Sequence, residues 1–444
     1  MRCRSPGVSS PSFFVISPRR REEITNHLRA EEAFATRENC VIVATSALEL
    51  GIDVGDLDRV IQIDSPPSVS SFLQRMGRTG RRSDTTRNCL FLATKEEALI
   101  QAAGLIDLWA EGYVEPIIPP EYPLHIAAQQ IMALALQRRG IARDEVHDWL
   151  GSFLLTAGLP REQIDELIRW MLSQAILSED NGLMWLGHEG ESTFGRRNFS
   201  ELFSVFTSPP LFTVLHGCQE LGFVDQLSFL GQHRGPRVLL LGGRSWRVTY
   251  VDWSRRHAFV EATDDRGSTR WSGQGQSLSF RLCQAIKSVL AGETNHDCWS
   301  QRACEQITET RTGFWWVDPE TTTIVSGGSN VSEWWTFGGN LVNAALAATL
   351  ESESGQSVQV SNLAITIKDG IEPSELRQAV ERTLATEADA FSPPVDEEAI
   401  DGLKFSECLP AEQARELLQR RLVDRTALAV VVAQDLAYAT SKPG

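Results

Sequence analysis

Three short apolar runs near the start of the chain constrain its fold more than any other feature. They cover residues 40–44, 59–63 and 88–93 and are rich in valine, isoleucine and leucine. Polar, helix-compatible stretches alternate with them, beginning with the charged segment 18–34. This alternation is typical of buried parallel strands in a doubly wound α/β sheet. We predict that this α/β part ends near residue 115.

A helical region follows the proline-rich stretch 116–123. Helices are predicted over residues 124–138, 144–155 and 160–174. Asn181-Gly182 then lies between two apolar runs, and this dipeptide suits the tight type I′ turn of a β-hairpin. Three helices followed by a hairpin predict a winged helix over residues 116–190. The helix at 160–174 would take the position of the recognition helix.

Short strands separated by glycine and polar turns come next. They are predicted at residues 238–241, 245–251, 257–261 and 268–271. Their spacing favours a β-rich, barrel-like domain over residues 191–275.

The remaining residues, 276–444, are predicted to form a C-terminal α/β domain. It begins with a helix at 278–291 that ends before Gly292. Strands are expected at 358–360 and 363–367, and helices near two prolines, Pro373 and Pro410. The predicted fold class is therefore multidomain α/β plus α+β.

The charge is unevenly distributed along the chain. A net charge of −16 argues at first against a nucleic-acid partner, since phosphate binding usually leaves a basic footprint. Residues 1–90, however, carry 13 arginines against 11 acidic residues, and residues 234–270 carry 8 against 4. Either segment could therefore face phosphates.

Cysteine usage and hydropathy bound the class of protein. The eight cysteines are scattered and form no Cys-x-x-Cys pair, so we predict reduced cytoplasmic thiols and no metal site. Apolar stretches such as residues 427–433 are much shorter than the roughly 20 residues of a membrane-spanning helix. The run at residues 13–16 is too short for a signal peptide. We therefore expect a cytoplasmic protein without a membrane segment.

Three arginines, Arg75, Arg78 and Arg81, recur at intervals of three residues. A helix would project them along one side, and Gly77 and Gly80 would permit close approach of the backbone. Guanidinium groups presented in this way suit a phosphate chain. The alternative is that the three arginines form a solvated helical face.

Two sequence blocks resemble motifs V and VI of superfamily 2 helicases. They are residues 44–54, Ala-Thr-Ser-Ala-Leu-Glu-Leu-Gly-Ile-Asp-Val, and residues 74–82, Gln-Arg-Met-Gly-Arg-Thr-Gly-Arg-Arg. The resemblance implies that Arg78 and Arg81 act as arginine fingers on ATP held by the other motor domain. It also implies that Thr45 contacts a nucleic-acid phosphate. The residues implied to lie at or couple to the nucleotide are Gly51, Asp53 and Gln74.

Later blocks resemble the core of the large helicase-related (Lhr) family. They are residues 240–248, 251–253, 334–339 and 404–410. This family joins two RecA-like motor domains to a winged helix and a β-rich domain, and it translocates on single-stranded DNA to unwind duplexes. The resemblance, with the arginines and tryptophans of the β-rich region, implies binding of single strands by charge and stacking. The candidate residues are Arg244, Trp246 and Trp253, although a buried core is the alternative for either tryptophan.

The chain also departs from the family pattern. It contains no Gly-x-x-x-x-Gly-Lys-[Ser/Thr] loop to hold the β- and γ-phosphates of ATP. Residues 144–147, Asp-Glu-Val-His, match a DExH box in letters but follow a polar segment, so Asp144 is predicted to be a helix N-cap. About 40 residues precede the motif V block. We therefore expect the first motor domain to be missing, together with the first strand and motif IV of the second.

Together these features predict the C-terminal part of an ATP-dependent DNA helicase, with a partial second RecA-like domain over residues 1–115. ATP with Mg²⁺ would bind only if the first motor domain were supplied, and a separate polypeptide is one source of it. The expected partner is single-stranded or partially duplex DNA. The alternative is a non-enzymatic DNA-binding protein that uses the winged helix and the β-rich domain. A winged-helix transcription regulator would leave the two helicase-like motifs unexplained.

Overall fold

The computed structural model describes residues 12–16, 40–44, 57–81, 86–195, 202, 211–230, 237–241, 244–263, 277–292, 296–326, 331–368, 371–387 and 390–440. The chain is mixed α/β with several sheets and divides into two compact units. The first unit is Met1–Glu115 with Ser288–Trp315, and the second is Pro116–Lys287 with Trp316–Gly444. The division into four domains made from the sequence stays a prediction.

Two pairs of parallel strands open the first unit. Strand β1 (Ser12–Ile16) pairs with β2 (Cys40–Ala44), and β3 (Val60–Ile63) pairs with β4 (Cys89–Leu92). Strands β2, β3 and β4 confirm the three apolar runs, whereas β1 was not predicted. The helices of this part are α1 (Val69–Met76), between β3 and β4, and α2 (Glu96–Ala110), which follows β4.

One face of the β3–β4 pair is covered by α1, and the side chains on the other face are partly exposed to solvent. Phe72 of α1 lies 5.3 Å from the Phe91 ring of β4, between ring centroids. The opposite face presents four aliphatic side chains that are 43 to 64% exposed: Ile61, Ile63, Leu90 and Leu92. A parallel strand is buried on both sides only where both faces are covered. The prediction of doubly buried strands is therefore wrong for this pair.

Three helices and a small antiparallel sheet begin the second unit. The helices confirm the predicted ones within two residues at each end, and the strands are hydrogen-bonded in the order β5-β7-β6. Asn181 and Gly182 have φ values of 50° and 76°, as a type I′ turn requires, which confirms the predicted hairpin. The elements are α3 (Leu124–Arg138), β5 (Ile141–Ala142), α4 (Arg143–Thr156), α5 (Arg161–Ser173), β6 (Leu177–Asp180), β7 (Leu183–Leu186) and α6 (His188–Phe194).

The start of α4 corrects one prediction. The N-cap is Ala142, so Asp144 lies in the first turn of the helix and is not its N-cap. The side chain of Glu145 accepts a hydrogen bond from the Ala142 amide at 3.2 Å. Asp144 instead lies 3.3 Å from the guanidinium of Arg161. An acidic residue in the first turn interacts favourably with the helix dipole. Acidic residues are therefore common both at the N-cap and in the first turn, and the sequence alone did not distinguish the two positions.

Five strands follow, in a sheet that curls into a half-barrel with the order β10-β11-β12-β8-β9. Its inner face carries part of a hydrophobic core, in which the Phe212 ring lies 4.9 Å from Phe229 and 5.0 Å from Trp253. The strand predicted at 268–271 lies outside the described residues. The elements are β8 (Leu211–His216), β9 (Gln219–Asp225), α7 (Leu227–Leu230), β10 (Val238–Leu241), β11 (Arg244–Asp252) and β12 (His257–Ala262).

Helix α8 (Phe280–Ala291) contains the boundary between the units and ends before Gly292, whose φ is 91°. Helix α9 (Gln301–Gly313) then packs on α2 within the first unit. Between these helices, the Nε2 atom of His296 lies 3.0 Å from Asp107 Oδ1 of α2. Nothing in the sequence pattern predicted that this segment returns to the first unit.

A second five-stranded sheet, ordered β15-β16-β14-β13-β17, forms the rest of the second unit. Trp334 is fully buried in its core. None of the helices in the described residues combines the length and apolarity that crossing a bilayer requires. The elements are β13 (Thr321–Ser326), β14 (Val331–Trp335), α10 (Gly339–Ser354), β15 (Val358–Val360), β16 (Ala364–Lys368), α11 (Pro373–Leu384), α12 (Glu398–Asp401), α13 (Ala411–Arg421), α14 (Arg425–Val432) and β17 (Asp435–Thr440).

Candidate functional site

The candidate nucleotide-facing segment begins in the last turn of α1. Gln74 is exposed there, and Arg75 Nη1 donates to Gln62 Oε1 of β3 at 2.6 Å. A short hydrogen bond to a charged donor is among the stronger ones in proteins. Arg75 therefore attaches α1 to the sheet.

Helix α1 ends at Met76, so the three arginines do not share one helix. The Gly77 amide donates to the Leu73 carbonyl at 2.7 Å and closes the last turn. Arg78 then lies in the turn after the helix, and Arg81 lies beyond it in irregular backbone. The prediction of three arginines along one helical side is therefore wrong. Glycine is a poor helix former, which explains why the helix stops where the glycines begin.

Hydrogen bonds hold the segment after α1 at several points. The Thr79 hydroxyl donates to the Met76 carbonyl at 2.8 Å and accepts from the Asn88 amide at 2.9 Å. The Arg78 carbonyl accepts from the Leu57 amide at 2.9 Å. Thr79 is only 1% exposed. The backbone that carries Arg78 is thus fixed from both sides.

Gly80 is required by both its conformation and its surroundings. Its φ of 68° is left-handed, and a Cβ atom there would lie 2.7 Å from the Arg87 amide nitrogen. Beyond it, Arg81 Nε donates to the Gly77 carbonyl at 3.0 Å, and the side chain remains exposed. The segment 77–81, which we name the arginine turn, therefore presents Arg78 and Arg81 from an ordered backbone.

Glu115 anchors the other end of α1, and sequence reasoning missed it. Its Oε1 accepts from the Val69 amide at 2.7 Å, and its Oε2 accepts from the Ser70 amide at 2.8 Å and the Ser70 hydroxyl at 2.7 Å. Burial acts to raise the pKa of Glu115, but these hydrogen bonds outweigh it and hold the pKa below its usual range. Since 45 residues separate Glu115 from Ser70, no local pattern could have revealed the contact.

We expect Glu115→Gln to lower the free energy of unfolding at pH 7 by about 1–2 kcal/mol, because the helix N-terminus loses a charged cap. The lowered pKa means that this stabilisation is present above the usual carboxyl pKa and is lost as the pH falls through the lower folded value. Urea denaturation at pH 7 and at pH values below the usual carboxyl pKa measures both effects. Asp58→Asn, at an exposed carboxyl of the same unit, is the control. Equal stability of Glu115→Gln and wild type at pH 7 would contradict the anchoring role.

The other predicted site residues do not lie in the arginine turn. Thr45, Gly51 and Asp53 lie outside the described residues. Trp246 and Trp253 are 7% and 5% exposed and belong to the core of the second unit. Their assignment to base stacking stays a prediction, and their burial does not favour it.

The half-barrel does present charge and aromatic rings elsewhere. Arg244, at the start of β11, is exposed as its predicted role requires. Exposed rings on the same sheet, foremost Tyr250, were not predicted. The alternation of side chains along a strand could have predicted an outer face from the position of Trp246. A β-bulge in β11, however, changes which residues lie on that face.

Helix α5, predicted to take the recognition position, has a surface of mixed charge. Its exposed charged side chains include Arg161 and Arg169 but also Glu162 and Glu166. Asp165 on the same helix lies 2.9 Å from His147 Nε2. Such a surface does not favour direct contact with phosphates.

A family model for the helicase conserved C-terminal domain matches residues 16–83. The match contains β2, β3, α1 and the whole arginine turn. It therefore includes both blocks in which the helicase-like motifs were found.

Several curated helicases are similar in sequence to this chain. The Lhr helicase/uracil glycosylase of Escherichia coli (strain K12) is 30% identical over 284 residues, which cover 59% of this chain and 18% of that protein. The ATP-dependent helicase Lhr-Core of Methanocaldococcus jannaschii is 32% identical over 280 residues, covering 60% and 32% respectively. The chain thus spans less than a third of the length of these relatives.

The fold is similar to that of a solved helicase. The structure of Mycobacterium smegmatis helicase Lhr bound to ssDNA and AMP-PNP matches with a TM-score of 0.58 and 15% sequence identity. The match covers 96% of this chain and 60% of that one. The chain is thus similar in sequence to Lhr helicases, and its fold is similar to that of a solved Lhr helicase.

Proposed function

We propose that the chain supplies the second half of an ATP-driven nucleic-acid motor, with Arg78 and Arg81 as arginine fingers. The observation that supports this most is the arginine turn, whose backbone is held by Thr79 and restricted by Gly80. A fixed donor group can stabilise charge in a transition state without reorganising first. A solvated row of arginines would need no such restraint.

The residues of this segment fit the phosphates of ATP better than its metal ion. Residues 74–81 contain three arginines and no carboxylate. Magnesium is usually held by carboxylate and phosphate oxygens, whereas guanidinium groups pair with phosphate directly. In this proposal another domain, on the same or a separate polypeptide, binds ATP with Mg²⁺. Arg78 and Arg81 would neutralise charge on the transferred phosphoryl group, with Gln74 beside the nucleotide.

The second unit would hold the nucleic acid, single-stranded or partially duplex DNA. Its three helices and hairpin have the element order expected of a winged helix, and we propose that identity for them. Because acidic side chains on the surface of α5 offset its two arginines, we assign the contact with DNA to the half-barrel and not to α5. A protein that only bound DNA would have no use for the arginine turn in the first unit.

The expected result with ATP is no DNA-stimulated hydrolysis by this chain alone, because its sequence contains no phosphate-cradling loop. Fused behind the first motor domain of an Lhr relative, together with that relative's first strand and motif IV of the second motor domain, it should hydrolyse ATP when single-stranded DNA is added. A coupled assay of phosphate release measures both proteins. The control is the same fusion with the P-loop lysine of the added domain replaced by alanine.

Two outcomes would count against the proposal. Robust turnover by the chain alone would show that it does not act as half of a motor. A folded fusion that binds AMP-PNP and single-stranded DNA, but never hydrolyses ATP, would leave DNA binding as the function.

A further inference from the structure

The outer face of the half-barrel carries exposed aromatic rings. Strand register places the side chains of Trp246 and Val260 on the inner, buried face. Side chains on the opposite face of the sheet point outward, away from the core. Three of these outward residues form what we name the aromatic platform: Phe223, Tyr250 and Phe259.

A β-bulge in β11 creates the central part of the platform. The register with β12 shifts between Val248 and Tyr250, and Tyr250 then lies directly opposite Phe259. Their ring centroids are 6.0 Å apart, and their planes are inclined by 25°. The Thr249 hydroxyl donates to the Phe259 carbonyl at 3.1 Å and holds the two strands at this point. A bulge is a device that redirects a side chain, and here it directs a tyrosine to solvent.

Two rings of the platform are exposed and the third, Phe259, is half-buried, although the same sheet buries other aromatics. Tyr250 is 56% exposed and Phe223 is 44% exposed. Trp246 and Trp253, on the inner side, are nearly fully buried. The core is therefore complete without the platform, and exposed rings in a group are typical of a binding surface.

Arginines flank the platform. Arg247 projects from the outer face of β11, where it is opposite Glu261 in the register and donates to the Thr263 hydroxyl at 3.1 Å. Arg255, in the turn between β11 and β12, has a side chain that is 77% exposed. Its Nε atom lies 3.9 Å from Asp252 Oδ2, and Asp252 also accepts hydrogen bonds from the Ser254 hydroxyl and the Arg255 amide.

The local charge is opposite in sign to that of the whole chain. Residues 244–263 contain four arginines against two acidic residues, whereas the net charge of the chain is −16. Planar rings between arginines match a ligand with planar bases and a phosphate backbone. The core of a protein interface, in contrast, is depleted of charge.

We propose that the aromatic platform stacks the bases of single-stranded nucleic acid while Arg247 and Arg255 contact its phosphates. The bases of a duplex are already stacked on each other, so exposed rings on the outer face of the sheet suit a single strand, whose bases are available for stacking. This proposal rests on the proposed function for the class of ligand. The location, exposure and charge of the platform are observations on the half-barrel and do not depend on the proposed function.

The test is fluorescence anisotropy of the full chain with a fluorescein-labelled oligothymidylate, without ATP. Tyr250→Ala should weaken binding about 5- to 100-fold, which corresponds to the loss of one stacked base. Tyr250→Phe keeps the ring and should bind as the wild type does. Tyr438→Ala is the matched control, because Tyr438 is 43% exposed but lies on β17 of the other sheet.

Salt dependence tests the ionic part separately. Arg247→Gln should reduce the slope of log affinity against log salt by about 0.7, the value for one phosphate on a single strand. Tyr250→Ala should leave that slope nearly unchanged. Equal affinity of folded Tyr250→Ala and wild type would overturn the proposal.

Two further measurements keep the result unambiguous. If Tyr250→Ala does not fold, photocrosslinking of wild type to a bromodeoxyuridine-substituted strand should label peptides that contain Phe223, Tyr250 or Phe259. Crosslinks confined to other peptides would refute the platform. A change in sedimentation of Tyr250→Ala without loss of DNA binding would instead identify the face as an interface between copies. Hydrolysis of ATP by the fusion depends on Arg78 and Arg81, so its failure is distinguishable from failure of this binding test.

Discussion

Replacing Arg81 or Arg78 by alanine in the fusion with a first motor domain should reduce DNA-stimulated ATP hydrolysis by about 10³ or more. The loss corresponds to about 4 kcal/mol of transition-state stabilisation. The physical reason is that each guanidinium would face charge that develops as the phosphoryl group is transferred. Phosphate release at saturating ATP and DNA measures the effect.

Three comparisons distinguish a finger from a structural residue. Arg59→Ala, at an exposed arginine of the same unit, should retain the fusion's rate. Arg81→Lys keeps the charge but lacks the planar fork, so its rate should remain well below that of wild type. Affinity for AMP-PNP should change little in all four variants, because a finger acts mainly in the transition state. Wild-type rates in both alanine variants would refute the assignment.

Local patterns accounted for much of the fold. The strands β2, β3 and β4 coincide with apolar runs, and the β-branched residues of β2 and β3 and the aromatic residue of β4 favour strands. The hairpin at Asn181-Gly182 was predictable because both residues tolerate positive φ. The arginine turn was recognisable because its glycines and arginines occur in a short, specific order.

Contacts between distant residues were not predictable in this way. Glu115 caps α1 across 45 residues, and Asp107 meets His296 across 189. The bulge before Tyr250 shifts strand register by one residue, and such a slip exchanges the two faces of a strand. Trp246 and Trp253, which are buried, were therefore proposed from the sequence, and Tyr250, which is exposed, was not identified.

A buried histidine gives the second unit a specific sensitivity to acid. His125 of α3 is 7% exposed, and its Nε2 lies 3.1 Å from a guanidinium nitrogen of Arg421 on α13. Arginine can only donate, so Nε2 must accept, and the folded imidazole is neutral. Within the described structure, Nδ1 has no hydrogen-bond partner. Burial and the positive charge of Arg421 lower the pKa of His125 to about 3.

The stability of the second unit should therefore fall as the pH drops below the ordinary histidine pKa of about 6.5. Below that pH the unfolded chain binds a proton that the folded chain does not take up until about pH 3, so the unfolded state gains about 1.4 kcal/mol per pH unit. His125→Gln retains an acceptor for Arg421 but does not titrate. Between pH 6.5 and pH 5, wild type should lose about 2 kcal/mol more than His125→Gln in urea denaturation, since carboxylate effects are common to both proteins. His188→Gln, at an exposed histidine of the same unit, should follow the wild type. Parallel losses in wild type and His125→Gln would show that the imidazole is protonated in the folded state, and that Arg421 has moved away from it.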